Sequence, residues 1–236
     1  MWSGPRNIST ALMRSWGNRP DTFVCDEPLY ASYLKSTGLP HPAADEVIRH
    51  HESDWRRVVD WLTGDVPQGR RVFYQKHMAH HLLPDIERTW ITRLTNCFLI
   101  RDPKEMLTSL MKIIPEPTVN DTGLPQQLEI FEQMCDDPQH PPPVLDSRDV
   151  LDDPRGMLGR LCTAVGLEFS DRMLEWPPGR RDTDGVWAPY WYGEVEKSTS
   201  FRPYRPKTDE VPASLNYVLD ECRDYYRTLA RHRLAT

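Results

Sequence analysis

Short apolar runs alternate along this chain with longer stretches in which apolar residues recur every three or four positions. Cys97-Phe98-Leu99-Ile100 is apolar without a break, the pattern of a parallel strand covered on both faces. Arg71-Val72-Phe73-Tyr74-Gln75, Thr22-Phe23-Val24-Cys25 and Pro143-Val144-Leu145-Asp146 are further runs rich in β-branched or aromatic residues, and each predicts a strand. Between them the period is helical. Thr10 to Trp16 predicts a helix capped by Ser9 or Thr10 and stopped at Gly17, and Asp54 to Leu62 places Trp55, Val58, Val59 and Leu62 on one face. Asp102-Pro103-Lys104-Glu105 reads as an N-cap, a first-turn proline and a glutamate three residues after the cap. Met106, Leu107, Leu110 and Met111 form the stripe behind it. Asp153-Pro154 repeats that start, with Met157, Leu158, Leu161 and Val165 behind it and Gly166 as the stop. A last helix is predicted over about 213–234, carrying Leu215, Val218, Leu219, Cys222 and Leu229. Strands alternating with helices imply α/β with a mostly parallel sheet.

Length and composition narrow the classes. The 236 residues suit a single domain over 1–236, large enough to bury a core without metal or disulfides. The formal net charge is −6, which argues against a nucleic-acid partner but not against one local anion pocket. No apolar run reaches the roughly 18 residues of a membrane span, and Met1-Trp2-Ser3-Gly4-Pro5-Arg6 lacks a signal-peptide apolar core. The five cysteines are scattered, with no Cys-x-x-Cys pair. Reduced thiols, no metal site and a cytoplasmic location are therefore expected. The 22 prolines cluster in connections such as 141–143 and 177–178 and point to long ordered loops.

Several constellations carry candidate chemistry. In Ser3-Gly4-Pro5-Arg6-Asn7-Ile8-Ser9-Thr10 a small-residue turn with one cation leads into a helix N-terminus. Backbone N–H groups, hydroxyls and a guanidinium converge there, as an anion requires. It is not a Gly-x-x-x-x-Gly-Lys-Ser/Thr loop. Arg101 ends the apolar strand at the edge where open parallel sheets bind ligands, with Ser109 about two turns into the next helix. Past the strand at 71–75 lie Lys76, His77, His80 and His81, candidates for a base near neutral pH. Asp26 and Glu27 follow the run at 22–25, and either carboxylate could accept a substrate proton or cap the next turn. The aromatic stretch Trp187-Ala188-Pro189-Tyr190-Trp191-Tyr192, with Arg202, Arg205 and Lys207 after it, could stack on a purine, cover an acceptor or simply pack over the sheet.

In order and spacing, these residues resemble the sulfotransferase family that uses 3′-phosphoadenosine 5′-phosphosulfate (PAPS). Pro5-Arg6-Asn7-Ile8-Ser9-Thr10 is similar to the family's 5′-phosphosulfate loop, with Asn7-Ile8 in place of its usual Ser-Gly. Arg101 and Ser109 match its strand-end arginine and the serine eight residues on, which bind the 3′-phosphate. Asp152-Asp153-Pro154 and Val165-Gly166-Leu167 resemble later family segments. The resemblance implies a three-layer α/β/α P-loop-type fold with a mostly parallel central sheet. Cofactor motifs would lie at 3–16 and 96–112, and cap or acceptor segments at 30–65 and 113–140. It implies in-line sulfuryl transfer from PAPS to a hydroxyl or amine of a small-molecule acceptor, without metal. Gly4, Pro5, Arg6, Asn7, Ile8, Ser9, Thr10, Arg101 and Ser109 would bind the donor. Aligning Leu82-Leu83-Pro84 with the family's Lys-x-His segment puts His77 in the base position, with His81 and Glu27 as rivals and Arg6 as the catalytic cation. The family's C-terminal cofactor loop has no clear match, and Trp187–Phe201 is the candidate substitute. The family's first strand precedes the phosphate loop, yet only Met1 and Trp2 precede Ser3. A vestigial strand or an internal start follows, with marginal stability or a homodimer as its consequence. The competing classes are a non-catalytic nucleotide-binding protein on this fold and a small P-loop kinase.

Overall fold

A computed structural model describes residues 1–135 and 139–235. Residues 136–138 of the expected 113–140 segment, and residue 236 of the expected domain, lie outside the described residues. Along the chain the elements are β1 (Trp2–Ser3), α1 (Ser9–Gly17), β2 (Thr22–Asp26), α2 (Tyr30–Thr37), α3 (Ala44–His50), α4 (Trp55–Leu62) and β3 (Val72–Met78). There follow β4 (Phe98–Ile100), α5 (Pro103–Leu110), α6 (Leu124–Met134), β5 (Val144–Asp146), α7 (Ser147–Asp152) and α8 (Pro154–Ala164). The short turns α9 (Ala188–Trp191) and α10 (Gly193–Glu196) precede α11 (Asn216–Ala230). The chain forms two compact units. The first is Met1–Ser9, Thr95–Phe169 and Arg202–Thr236, and the second is Thr10–Leu94 and Ser170–Phe201.

In the first unit β4 lies between β1 and β5, parallel to both. Phe98, Leu99 and Ile100 have no solvent exposure, which is why this strand reads as an unbroken apolar run. The expected first strand is present but two residues long, with Trp2 paired to Phe98 and Ser3 to Leu99. Trp2 is buried, and its indole Nε1 donates to Asn96 Oδ1 at 2.9 Å. The helices bury the predicted stripes: Met106, Leu107 and Leu110 of α5, Met157, Leu158 and Leu161 of α8, and Val218, Leu219, Cys222 and Leu229 of α11. Asp102 and Asp153 cap as expected, their carboxylates accepting from Glu105 N at 3.1 Å and Gly156 N at 2.9 Å.

In the second unit β2 and β3 pair in parallel from Thr22↔Val72 to Asp26↔Lys76. The observed α/β class with parallel strands is the expected one. Two boundaries differ. Strand β3 continues to Met78, so Lys76 and His77 lie within the strand rather than past it. Asp26 likewise ends β2, and Glu27 is the first residue beyond. Among the described residues no helix is long and apolar enough to cross a membrane.

A buried ion pair ties α1 to the aromatic stretch of this unit. Arg14 NH2 donates to Asp184 Oδ2 at 2.7 Å, NH1 to Oδ1, and Arg181 N to Oδ2 at 2.8 Å. Both side chains are almost wholly buried, at 2% and 0% exposure. Breaking such a pair strands a charge, whereas replacing both partners by apolar groups is often near neutral. Asp184→Ala should therefore cost about 3–5 kcal/mol. A thermal melt should show a fall of roughly 6–20 °C. The double change Arg14→Met with Asp184→Leu should recover most of that loss.

Candidate active site

The first unit folds residues 3–9 into a loop tied to β4 and α5. Gly4 is required by space: a Cβ there would sit 2.1 Å from Thr122 O. The buried Gln127 amide fastens the same turn, accepting from Gly4 N and donating to Leu99 O, each at 3.1 Å. Asn7 Nδ2 donates to the same carbonyl at 2.9 Å. Arg6 holds a left-handed backbone, φ 59°, a conformation that costs a non-glycine residue about 1–3 kcal/mol and persists where its surroundings over-determine it. Those surroundings are visible. Arg6 Nε donates to Ser109 Oγ at 2.9 Å, and Arg6 O accepts from Arg101 NH1 at 2.7 Å. The terminal guanidinium nitrogens of Arg6 make no hydrogen bond with any described residue. Ser9, buried, and Thr10 open α1 behind the loop.

Arg101 turns its fork toward Glu105, with Nε at 3.2 Å and NH2 at 2.9 Å from one carboxylate oxygen. Glu105 also accepts from the Tyr204 hydroxyl, and Glu105 O accepts from Lys207 Nζ at 3.2 Å. Burial pushes the Glu105 carboxyl up, and the Tyr204 and Arg101 hydrogen bonds outweigh it, so it sits below its ordinary range. Lys207 is pushed down to about 8, first by burial and then by the Arg101 guanidinium, with Lys112 and Arg6 adding to it. Arg6 is lowered by burial and by Arg101. Arg101 bonds the Glu105 carboxylate, Lys207 bonds the Glu105 carbonyl, and Arg6 and Lys207 both feel the Arg101 guanidinium, a surplus of positive charge that a phosphate-like anion would relieve.

The second unit builds a different cluster at the ends of β2 and β3. Asp26 and Lys76 are register partners, so their side chains leave the same face of the pair. Lys76 Nζ donates to Asp26 Oδ1 at 2.9 Å, to Glu27 Oε1 at 2.5 Å and to the Tyr192 hydroxyl at 2.8 Å. The Tyr192 hydroxyl lies 2.8 Å from Asp26 Oδ2 and accepts from Trp187 Nε1 at 3.2 Å. Glu27 has φ 43°, and its Oε2 makes no hydrogen bond with any described residue. Burial raises the Glu27 carboxyl, opposed by Lys76 and assisted by Asp26. Burial works against the Lys76 ammonium too, but the two carboxylates outweigh it and hold it well above its ordinary value. Chemically, this places a proton-accepting carboxylate oxygen beside a fully committed ammonium.

The histidines sit elsewhere. His77 lies on the opposite face of β3 from Lys76, is 2% exposed, and has Nε2 3.2 Å from Gln75 Oε1. An amide oxygen there requires that nitrogen to carry the proton, and burial drives the ring well below its ordinary value. His81 stacks between Tyr30 and Tyr33, with centroids 4.7 Å away on each side, and burial lowers it likewise. Trp187 and Tyr192 of the aromatic stretch are buried against the acidic pair and Tyr30. Sequence reasoning named Asp26, Lys76, Tyr192 and Lys207 as candidates without pairing them, and read Glu105 only as part of a helix start. Lys207 sits in an aperiodic loop, so no spacing could tie it to Arg101 or Glu105. Among the described residues no group of three His, Cys, Asp or Glu could hold a metal ion.

Residues 1–230 match the family model described as "Sulfotransferase domain". Two Arabidopsis thaliana proteins, branched-chain-amino-acid aminotransferase-like protein 1 and protein 2, are 36% and 34% identical over 232 residues. The match covers 98% of this chain and 41% of each of them, so the chain spans about two fifths of the length of the curated relatives it matches. Among solved structures, the sulfotransferase domain from the Synechococcus PCC 7002 olefin synthase superposes with TM-score 0.59 at 15% identity, over 96% of this chain and 92% of that one. The sulfotransferase domain from the curacin biosynthetic pathway gives 0.53 at 15%, over 97% and 95%. At that identity the likeness is one of fold.

The Lys207 shift has a sign. A lysine whose folded pKa of about 8 lies below its unfolded value binds fewer protons folded than unfolded between the two. Stability should therefore rise as pH increases from about 8 toward 10.4. Melting curves across that range should show the rise, and Lys207→Met should flatten it.

Proposed function

We propose that this chain, which belongs to the sulfotransferase family over residues 1–230, moves a sulfuryl group from PAPS to a hydroxyl or amine of a small-molecule acceptor. The observation that carries the reading is the first-unit loop, in which Arg6 is joined to Ser109 and to Arg101, and Lys207 bonds the Glu105 carbonyl beside them. PAPS suits that set, because it carries phosphates at both the 3′ and 5′ positions. When bound it supplies an activated sulfuryl group.

The residue roles follow from what each group offers. Arg101, Ser109 and Lys207 hold the 3′-phosphate, with Arg101 exchanging its carboxylate partner Glu105 for phosphate oxygens. Gly4, Pro5, Asn7 and Ile8 shape the loop, whose amides and the hydroxyls of Ser9 and Thr10 take the 5′-phosphate oxygens. Arg6 faces the charge left on the bridging oxygen as its bond to sulfur breaks. Glu27 is the base in this reading, rather than His77 or His81. Its Oε2 is unengaged and its carboxyl is raised by burial, whereas both histidines are interior and lowered. Glu27 takes the acceptor proton as the acceptor oxygen or nitrogen bonds to sulfur. The kinase alternative has no observation in its favour, and the chain lacks the Gly-Lys-Ser/Thr that it would need.

Formation of PAP from PAPS, followed over a panel of phenols, alcohols and amines, tests this. Glu27→Gln should lower kcat by about 10²–10⁴. His77→Gln and His81→Gln, where folded, should stay within about tenfold of the parent. Full turnover in Glu27→Gln would remove Glu27 as the base. Arg6→Ala should mainly lower kcat and Arg101→Ala mainly raise the KM for PAPS. Equal loss of both parameters in both variants would contradict that division.

A further inference from the structure

We infer that Asp26, Lys76 and Tyr192 are positioning residues that set the proton affinity of Glu27, with Asp26 drawing the charge of Lys76 away from it. The inference rests on the reading of Glu27 as the base, but it concerns how that carboxyl is tuned and is tested separately.

An ammonium has three hydrogens. Those of Lys76 are directed at Asp26 Oδ1, Glu27 Oε1 and the Tyr192 hydroxyl. With Lys76 and Trp187 both donating to it, the Tyr192 hydroxyl has its own hydrogen left for Asp26. Asp26 also receives Gly185 N at 3.4 Å on Oδ2. The two carboxylates are therefore unequal. Asp26 gathers an ammonium, a phenol and a backbone amide across both oxygens, while Glu27 shares the ammonium through one oxygen alone. Two carboxylates face one ammonium, so one negative charge is uncompensated, and the carboxyl with fewer donors, that of Glu27, is the one on which a proton is held more tightly.

The other ionisable groups around Glu27 do not reverse this. Tyr30 of α2 faces it and is itself pushed up by burial and by Glu27. His51, after α3, feels Asp26, and His81 feels Lys76, yet burial keeps both rings lowered and hence neutral. The backbone adds a reason for the asymmetry. Asp26 is still in strand register opposite Lys76, whereas Glu27 turns out at φ 43°. One carboxylate is thereby locked to the lysine, and the other keeps an oxygen unengaged.

Removing the Asp26 charge should leave Lys76 facing Glu27 alone, so Glu27 should become more acidic. Removing the Tyr192 hydroxyl leaves the ammonium two acceptors instead of three, which acts in the same direction, and takes away the hydroxyl 3.5 Å from Glu27 Oε1, which acts in the other, so its net effect should be small. The full chain labelled with ¹³C at the glutamate carboxyl carbon reads this directly by NMR, the Glu27 signal being assigned by its loss in Glu27→Gln. In the parent, the Glu27 midpoint should lie above the ordinary glutamate range. Asp26→Asn should lower it by about one pH unit or more, and Lys76→Met should raise it, because the ammonium's pull on Glu27 is then gone. A Glu27 midpoint in the ordinary range in the parent would overturn the inference. So would an unmoved midpoint in folded Asp26→Asn, or, if that variant does not fold, in Lys76→Met. No acceptor is needed for this titration. A base reading that fails, with Glu27→Gln still turning over PAPS, is thus distinguished from a tuning inference that fails.

Discussion

The cost of taking an ammonium out of water organises the second unit. Lys76 is 1% exposed, as is the Asp26 side chain, and Glu27 is 13% exposed. An unpaired charge at such depth would cost several kcal/mol, and an opposite charge at 4 Å returns about 4 kcal/mol at an effective dielectric near 20. One carboxylate would roughly break even. The second, together with the Tyr192 hydroxyl, completes the ammonium's three hydrogen bonds. The ends of β2 and β3, the left-handed Glu27 and the buried Trp187–Tyr192 turn are all arranged around this need. The same constraint leaves one carboxylate oxygen without a partner, and an oxygen of that kind can do proton chemistry.

The first unit answers the opposite problem. There the positive charge is in surplus, with Arg101 and Lys207 bonded to Glu105 and Arg6 acting on both of them. Two of the four non-glycine left-handed residues among those described are Arg6 and Glu27, one in each cluster. Backbone strain of this kind concentrates where a side chain must be aimed rather than where the chain folds most easily. Glu105 occupies the Arg101 fork in the way a phosphate would, so Arg101 has a partner without an anion, while the terminal nitrogens of Arg6 make no hydrogen bond with any described residue.

Much of this was legible in the chain. The buried strand β4 announced itself because both of its faces are covered, and the caps at Asp102 and Asp153 because aspartate and proline sit in fixed order at a helix start. Arg101 and Ser109 were named because one ends the apolar strand and the other lies about two turns into the next helix, and both are bonded to Arg6. What patterning missed has a physical cause. Strand β3 was cut short because Lys76 and His77 break an apolar run, and their burial depends on Asp26, fifty residues earlier in the chain. Helix α6 was missed because the interior polar residue Gln127 faces Gly4 and Leu99 rather than solvent. Tyr192 looked like one aromatic among several, and the hydroxyl that matters is identified only by what it touches.

The central claim is that the loop at residues 3–9, with Arg101, Ser109 and Lys207, is a site for a 3′,5′-bisphosphorylated nucleotide. A thermal-shift titration with PAP beside 5′-AMP, in the parent and in Arg101→Ala, tests it most directly. At 100-fold its Kd a ligand that binds only the folded chain adds about 2.7 kcal/mol, enough to move the melt visibly. The account predicts a rise with PAP, little or none with 5′-AMP, and loss of the PAP effect in Arg101→Ala. Equal shifts with both nucleotides, or a PAP shift that survives in Arg101→Ala, would contradict it.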